Sequence, residues 1–280
     1  MIKTFSILTP VRNAGSLLKR TIHSLQSQYA VQSRRCHLEH ILLDGASTDD
    51  TLLVASRFPD TLCFSEPDSG MYDALRKGFG HVSGEVTGYL NAGDVLFPWA
   101  FDVLLDIFEN QDAKWVTGYS SLINEKSQVT ASWKPPRFRR EFILNGLYAD
   151  HEYPFGIQQE STFWRTKLLS DVDCDRLGKL KLAGDYFLWT EFAKHAELHS
   201  VMSPLGAFLL HDGQLSQDRE SYVAEVARFI RKPNAAEKFT RWWETRCPPV
   251  LKGLLWNFTL GQSPAKIFDY NHFTKSWGAR

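Results

Sequence analysis

Short apolar runs alternate with amphipathic stretches through the first hundred residues. Phe5-Ser6-Ile7-Leu8 predicts a buried strand stopped by Thr9-Pro10. Gly15-Ser16 then opens a helix whose Leu17, Leu18, Ile22 and Leu25 share one face. Three further strands are predicted at His40–Leu43, Leu62–Phe64 and Val86–Leu90. Between them, Ser47 or Thr48 caps a helix with Asp49 and Asp50 in its first turn, and a second helix runs from about Met71 to Gly78 or Gly80. Pro98 leads into a strongly apolar helix, Trp99–Phe108. Four alternations of strand and helix imply an α/β fold with a mostly parallel sheet flanked by helices. A ligand of such a sheet lies beyond the carboxyl ends of the strands, where the polar turns of this chain fall.

The period then changes. Trp115–Tyr119, with Leu122-Ile123 and Val129–Ala131 flanking Asn124–Ser127, predicts strands and a hairpin. Ala183–Trp189 begins a helix with Asp185 near its amino end, and Leu205–Leu210 is an apolar strand delivering His211-Asp212-Gly213. From about Ser216 onward the pattern is helical and aromatic, with Trp242, Trp243, Trp256 and Phe258. The expected organisation is one domain over residues 1–215 and a helical extension over residues 216–280.

Charge sharpens that division. The 280 residues carry 32 Lys and Arg against 32 Asp and Glu, so nothing global argues for nucleic acid. From Arg228 to Arg280, however, ten basic residues face three acidic ones, a net of +7. Cys36, Cys63, Cys174 and Cys247 have no metal-ligand or disulfide spacing, which suggests a reducing compartment. No signal-peptide pattern or membrane-length apolar run is present, so a cytoplasmic protein is expected.

The carboxylates at the turns are the candidate chemistry. Asp94 can approach a hard divalent cation, since one or two carboxylates plus phosphate oxygens commonly hold magnesium or manganese. Its plain alternative is a cap for the helix after Pro98. Asp44 can accept from a base or ribose, or be a simple Asp-Gly turn residue. Asp68 and Asp73 flank a helix start and serve either as ligand contacts or as cap and first-turn acid. Asp185 is either a cap or a general base toward an acceptor hydroxyl. His211 offers an imidazole to metal or diphosphate, or is structural.

The motifs Thr9-Pro10-Val11-Arg12-Asn13, Asp44–Asp49, Ser65–Ala74, Lys77-Gly78, Gly84-Glu85 and Leu90–Asp94 together closely resemble the family-two glycosyltransferases. The resemblance is strong over residues 4–110 and looser to about residue 216, through Gln158–Trp164, Ala183–Trp189 and His211–Ser216. It implies a GT-A fold and an inverting, nucleotide-sugar-dependent enzyme, with a UDP-linked donor expected. Thr9, Pro10 and Arg12 would line the nucleotide pocket, Asp44 would contact the base, and Asp68 would help hold the nucleotide or sugar. Asn91 and Gly93 fall in the same donor-binding set. Asp94 matches the metal carboxylate, with Mn²⁺ or Mg²⁺ as cofactor. Asp185 matches the catalytic base, and His211 a late residue near metal and diphosphate. Two departures stand out: Gly93-Asp94 and Gly184-Asp185 occur where many relatives carry paired acids.

The expected acceptor is a saccharide or a lipid-linked acceptor, in the synthesis of a bacterial surface or extracellular polysaccharide. The basic, aromatic extension could rest on an anionic membrane surface at the inner face of the plasma membrane, or pack on the domain. The competing reading is a non-catalytic nucleotide-sugar-binding module of the same fold. A nucleotidyltransferase is weaker for want of a Gly-rich lysine-bearing loop, and a Rossmann dehydrogenase for want of G-x-G-x-x-G.

Overall fold

A computed structural model describes residues 2–149, 156–211, 214, 218–247 and 261–279. Asp212, Gly213, Ser216, Trp256 and Phe258, singled out by the sequence, lie outside these described residues. The strands are β1 (Thr4–Val11), β2 (His37–Asp44), β3 (Thr61–Ser65), β4 (Val86–Tyr89), β5 (Val95–Leu96), β6 (Trp115–Thr117), β7 (Ser120–Ile123), β8 (Val129–Trp133), β9 (Thr162–Arg165), β10 (Leu198–Val201), β11 (Gly206–Leu209), β12 (Ile267–Asn271) and β13 (Ser276–Ala279). The α-helices are α1 (Gly15–Gln26), α2 (Tyr29–Gln32), α3 (Thr51–Ala55), α4 (Met71–Gly78), α5 (Ala100–Asn110), α6 (Arg140–Leu144), α7 (Cys174–Leu177), α8 (Gly184–Ala193), α9 (Arg219–Val226) and α10 (Ala235–Thr245).

A nine-stranded sheet runs in the order β13-β12-β10-β6-β9-β4-β1-β2-β3. The half nearest the amino terminus is parallel: β1 pairs with β2 and β4, and β2 with β3. β9 enters antiparallel between β4 and β6. This mixed α/β sheet flanked by helices is the architecture the hydrophobic pattern implies. Its apolar strands are covered on both faces, as a parallel sheet requires. On one face, Phe5 stacks on Phe101 of α5 at 4.4 Å between ring centroids. On the other, the fully buried Trp115, Trp164 and Trp189 form a cluster with α8.

A second sheet, β5-β11-β7-β8, stands beside the carboxyl ends of the first. The expected hairpin is its outer half, β7 pairing antiparallel with β8. Strand alternation buries Ile123, Ala207 and Leu209 on one face of this sheet and turns Leu122, Phe208 and Trp133 toward the cleft on the other.

The extension is helical in α9 and α10, and α10 begins with a complete capping box between Asn234 and Glu237. Its last residues are not helical. β12 adds parallel to β10 and β13 adds antiparallel to β12, with Phe268 wholly buried. The main sheet therefore reaches past residue 216, and residues 261–279 supply one of its edges.

Candidate active site

The loops after the strands enclose an open cleft of about 950 Å³. Its donor side is assembled by the parallel register, which brings the end of β1 beside the end of β2 (Val11 opposite Asp44). The two loops then clasp. Asn13, at φ +52°, donates its backbone N–H to Ser47 Oγ at 2.8 Å and accepts from the Thr48 N–H at 2.8 Å. The Ala14 and Gly15 N–H groups donate to Thr51 Oγ1 and Asp49 Oδ2. Pro10, Arg12 and Asp68 line the cleft. Asp68 accepts the Gly70 N–H at 2.8 Å and packs close over Gly45, where a Cβ would lie 2.4 Å from Asp68 Oδ2 and displace the carboxylate.

Two expected contacts point elsewhere. Thr9 is wholly buried and joins His40 Nε2 at 3.0 Å across the strand pair, so it does not line the cleft. Asp44 is 2% exposed. It accepts from the Ser47 N–H and from Ser65 Oγ at 2.6 Å, and it borders only a narrow hollow beside the cleft. Both residues hold the frame on which the exposed loop residues are mounted.

The floor is the turn from Asn91 to Asp94. Gly93 adopts φ +104°, and a Cβ there would also lie 2.9 Å from Leu209 Cδ2, so the turn requires glycine. This explains the first departure from paired acids. Gly93 itself does not line the cleft; its N–H donates to Thr21 Oγ1 at 2.8 Å, and Thr21 also bonds the Asp94 carbonyl. Asn91 and Asp94 face the cleft. Asp94 is 3% exposed; Oδ1 accepts the Leu209 N–H at 2.9 Å and Oδ2 is buried without a partner. Burial pushes its carboxyl up to about 7, against the Leu209 and Asn91 hydrogen bonds. Glu160, also at the cleft, is pushed well above the carboxylate range by burial and by the neighbouring Asp94 charge.

The orphaned Asp94 Oδ2 is the kind of group that fits a hard divalent cation. No cluster of three or more His, Cys, Asp or Glu suited to a metal occurs among the described residues, so oxygens of a bound diphosphate would have to complete the shell. His211 lines the cleft, and its backbone N–H donates to Gln214 Oε1 at 3.1 Å.

Asp185 lines another wall of the cleft in the first turn of α8, and is partly exposed. Gly184 cannot be an acid here: a Cβ would sit 2.3 Å from the ring of Tyr72, whose OH donates to Leu182 O at 2.9 Å. That packing accounts for the second departure. Asp185 Oδ1 accepts from the Tyr186 N–H at 2.7 Å and from Tyr222 OH at 3.3 Å. Burial raises its carboxyl to about 6, opposed by those bonds and by Arg219.

α9 also braces the base helix. Glu225 accepts the backbone N–H groups of Lys181, Leu182 and Ala183 at 2.8–3.0 Å, satisfying donors ahead of α8. Burial works against the Glu225 charge, yet the three N–H groups hold its carboxyl below the usual range. Sequence reasoning missed Thr21, Glu160, Tyr222 and Glu225. Only Glu160 lies in a motif already singled out, Gln158–Trp164.

Similarity extends to a glycosyltransferase of Rickettsia typhi, 25% identical over 239 residues, covering 81% of this chain and 71% of the relative. In fold, the chain resembles Staphylococcus aureus TarS residues 1–349 in complex with UDP-GlcNAc (TM-score 0.60, 12% identity), over 91% of this chain and 79% of that one. It also resembles glucosyl-3-phosphoglycerate synthase from Mycobacterium tuberculosis in complex with Mn²⁺, UDP and phosphoglyceric acid (TM-score 0.53, 16% identity), over 84% and 81% of the two chains. Residues 6–168 match the model of glycosyl transferase family 2, and the chain belongs to that family.

Proposed function

We propose that this chain transfers a sugar, with inversion, from a nucleoside-diphosphate sugar, UDP-linked by preference, to a saccharide acceptor. The observation carrying this reading is that Asp94 and Asp185, both held above their ordinary carboxylate range by burial, face one cleft from different walls. Pro10, Arg12, Asn13 and Asp68 would hold the nucleotide and donor sugar. Mg²⁺ or Mn²⁺ on Asp94, beside His211, would neutralise charge on the departing diphosphate. Asp185 takes the proton from the attacking hydroxyl, and its carboxyl near 6 is ionised at neutral pH. The fold neighbours solved with UDP-GlcNAc and with Mn²⁺ and UDP support this choice of donor and cofactor. The presence of both carboxylates favours catalysis over a binding-only module.

The acceptor would lie against Leu122, Phe208 and Trp133, an apolar wall with the indole 48% exposed. Such a wall suits the apolar face of a sugar ring, and the expected products are bacterial surface or extracellular polysaccharides. The test is a thermal-shift screen of nucleoside diphosphates and their sugars with Mn²⁺, followed by nucleotide release with the stabilising donor. Stabilisation by none of them would end the reading.

A lipid-linked acceptor at an anionic membrane is favoured by the net +7 of residues 228–280 and by Trp242, which is 38% exposed on α10. Sedimentation of the full chain with anionic and neutral vesicles at low and moderate salt tests it. Equal binding to both removes the idea.

A further inference from the structure

Three oxygens at the cleft are buried and lack a hydrogen-bond partner: Asp94 Oδ2, Asn91 Oδ1 and Glu160 Oε1. All three residues line the same cleft, and Glu160 is only 2% exposed. Among them are two carboxylates, the groups most costly to bury alone. Their placement is built rather than incidental. Glu160 sits in the single turn Gln159–Ser161 that precedes β9. That turn is fastened on both sides: Ser161 Oγ donates to Tyr119 O at 2.8 Å, and Gly206 lies so close that a Cβ there would be 2.1 Å from Glu160 O.

The amides fix which atoms face inward. Tyr89 O can only accept, so it holds the Gln159 amide nitrogen. Gln159 Oε1 must then accept from Asn91 Nδ2, at 3.2 Å, which leaves Asn91 Oδ1 on the other side. Asp94 Oδ2 and Glu160 Oε1 are then two carboxyl oxygens with no protein partner, a pair that a hard divalent cation would complement and hold ionised.

We propose that Glu160 is a second protein carboxylate for the divalent cation, sharing it with Asp94. This rests on the donor-site reading of Asp94 and deepens it. The turn that requires glycine at position 93 excludes an acid there, and Glu160 restores the missing charge from a strand end about 70 residues later.

The experiment is Mn²⁺ titration of the metal-free full chain, reading unbound Mn²⁺ by electron paramagnetic resonance, with and without UDP. Wild type should bind Mn²⁺, more tightly with UDP. Glu160→Gln should weaken Mn²⁺ binding about ten- to a hundredfold in both series while keeping a cooperative melt. Glu160→Asp keeps the charge but shortens the reach; it should fall between the two and serves where the Gln variant does not fold. Wild-type affinity in either folded variant overturns the assignment while leaving Asp94 as the metal residue. Absence of Mn²⁺ binding by wild type itself, even with UDP, overturns the donor-site reading along with it.

Discussion

The two acids assigned to chemistry are mounted in different ways. Asp94 stands on the parallel half of the sheet: β4 pairs with β1, and the following turn is locked by Thr21 of α1 and by the Leu209 N–H. Asp185 stands at the start of a helix whose donors are satisfied by Glu225 and whose carboxylate meets Tyr222, both on α9. The first mounting is mostly backbone and, apart from the Leu209 N–H, lies within residues 6–168, the stretch matching the family model. The second depends on side chains arriving from beyond that stretch. A donor site built on sheet register tolerates little change, whereas a base held by a neighbouring helix can be tuned by single side chains.

The largest effect should come from separating the two acids functionally. Asp185→Asn should lower transfer by about 10²–10⁴-fold and leave nucleotide affinity unchanged, because the amide cannot take a proton. Titration calorimetry with UDP and Mn²⁺ beside initial rates measures both; wild-type turnover would remove Asp185 as base. Asp94→Asn should instead weaken metal-dependent nucleotide binding, yet raise the melting temperature of the metal-free protein. The sign follows from its raised carboxyl: the folded state holds the proton more tightly than the unfolded one, so the acid costs stability increasingly as pH climbs from about 4 to 7. An Asn variant that melts lower than wild type at pH 8 would contradict the buried-charge account of the floor.

The same contrast explains what could be read in advance. Apolar periodicity located the cores of β1 to β4, and the Asp94 turn needed only the order of motifs along the chain. Direction across the sheet was not legible. Thr9 and Asp44 stand at strand ends, but whether each side chain enters the cleft is set by its partner strand, and His40 and Ser65 claim them. Nor was the end of the extension legible. Ile267–Asn271 is short and mixed in polarity, and becomes a strand only because β10, far earlier in sequence, offers it an edge. Tyr222 and Glu225 lie on a helix with no pronounced apolar stripe, so nothing marked them as partners of the base.

The dependence of α8 on α9 is broken next by Glu225→Ala. Three N–H groups lose their acceptor, at a cost of about 1–3 kcal/mol, and kcat should fall more than donor KM changes. Because the Glu225 carboxyl is held below its ordinary range, its contribution is present above about pH 4.5 and is lost as pH falls through the folded value. Denaturant unfolding of variant and wild type should therefore differ at pH 7 and converge at acid pH. A constant difference would assign the effect to packing.

The smallest expected change is the most specific to the base. Tyr222 OH donates to Asp185 Oδ1 at 3.3 Å, a long bond that favours the ionised carboxylate. Removing it in Tyr222→Phe leaves burial, the main cause of the raised value, unopposed by that donor. The acidic limb of kcat against pH, expected near 6 in wild type, should move upward by roughly half a unit, with the plateau above it little changed. A purely structural role for Tyr222 would lower the plateau and leave the limb in place. The two outcomes separate a residue that tunes the base from one that only packs α9 against α8, and so decide whether this region differs from the donor floor in chemistry as well as in construction.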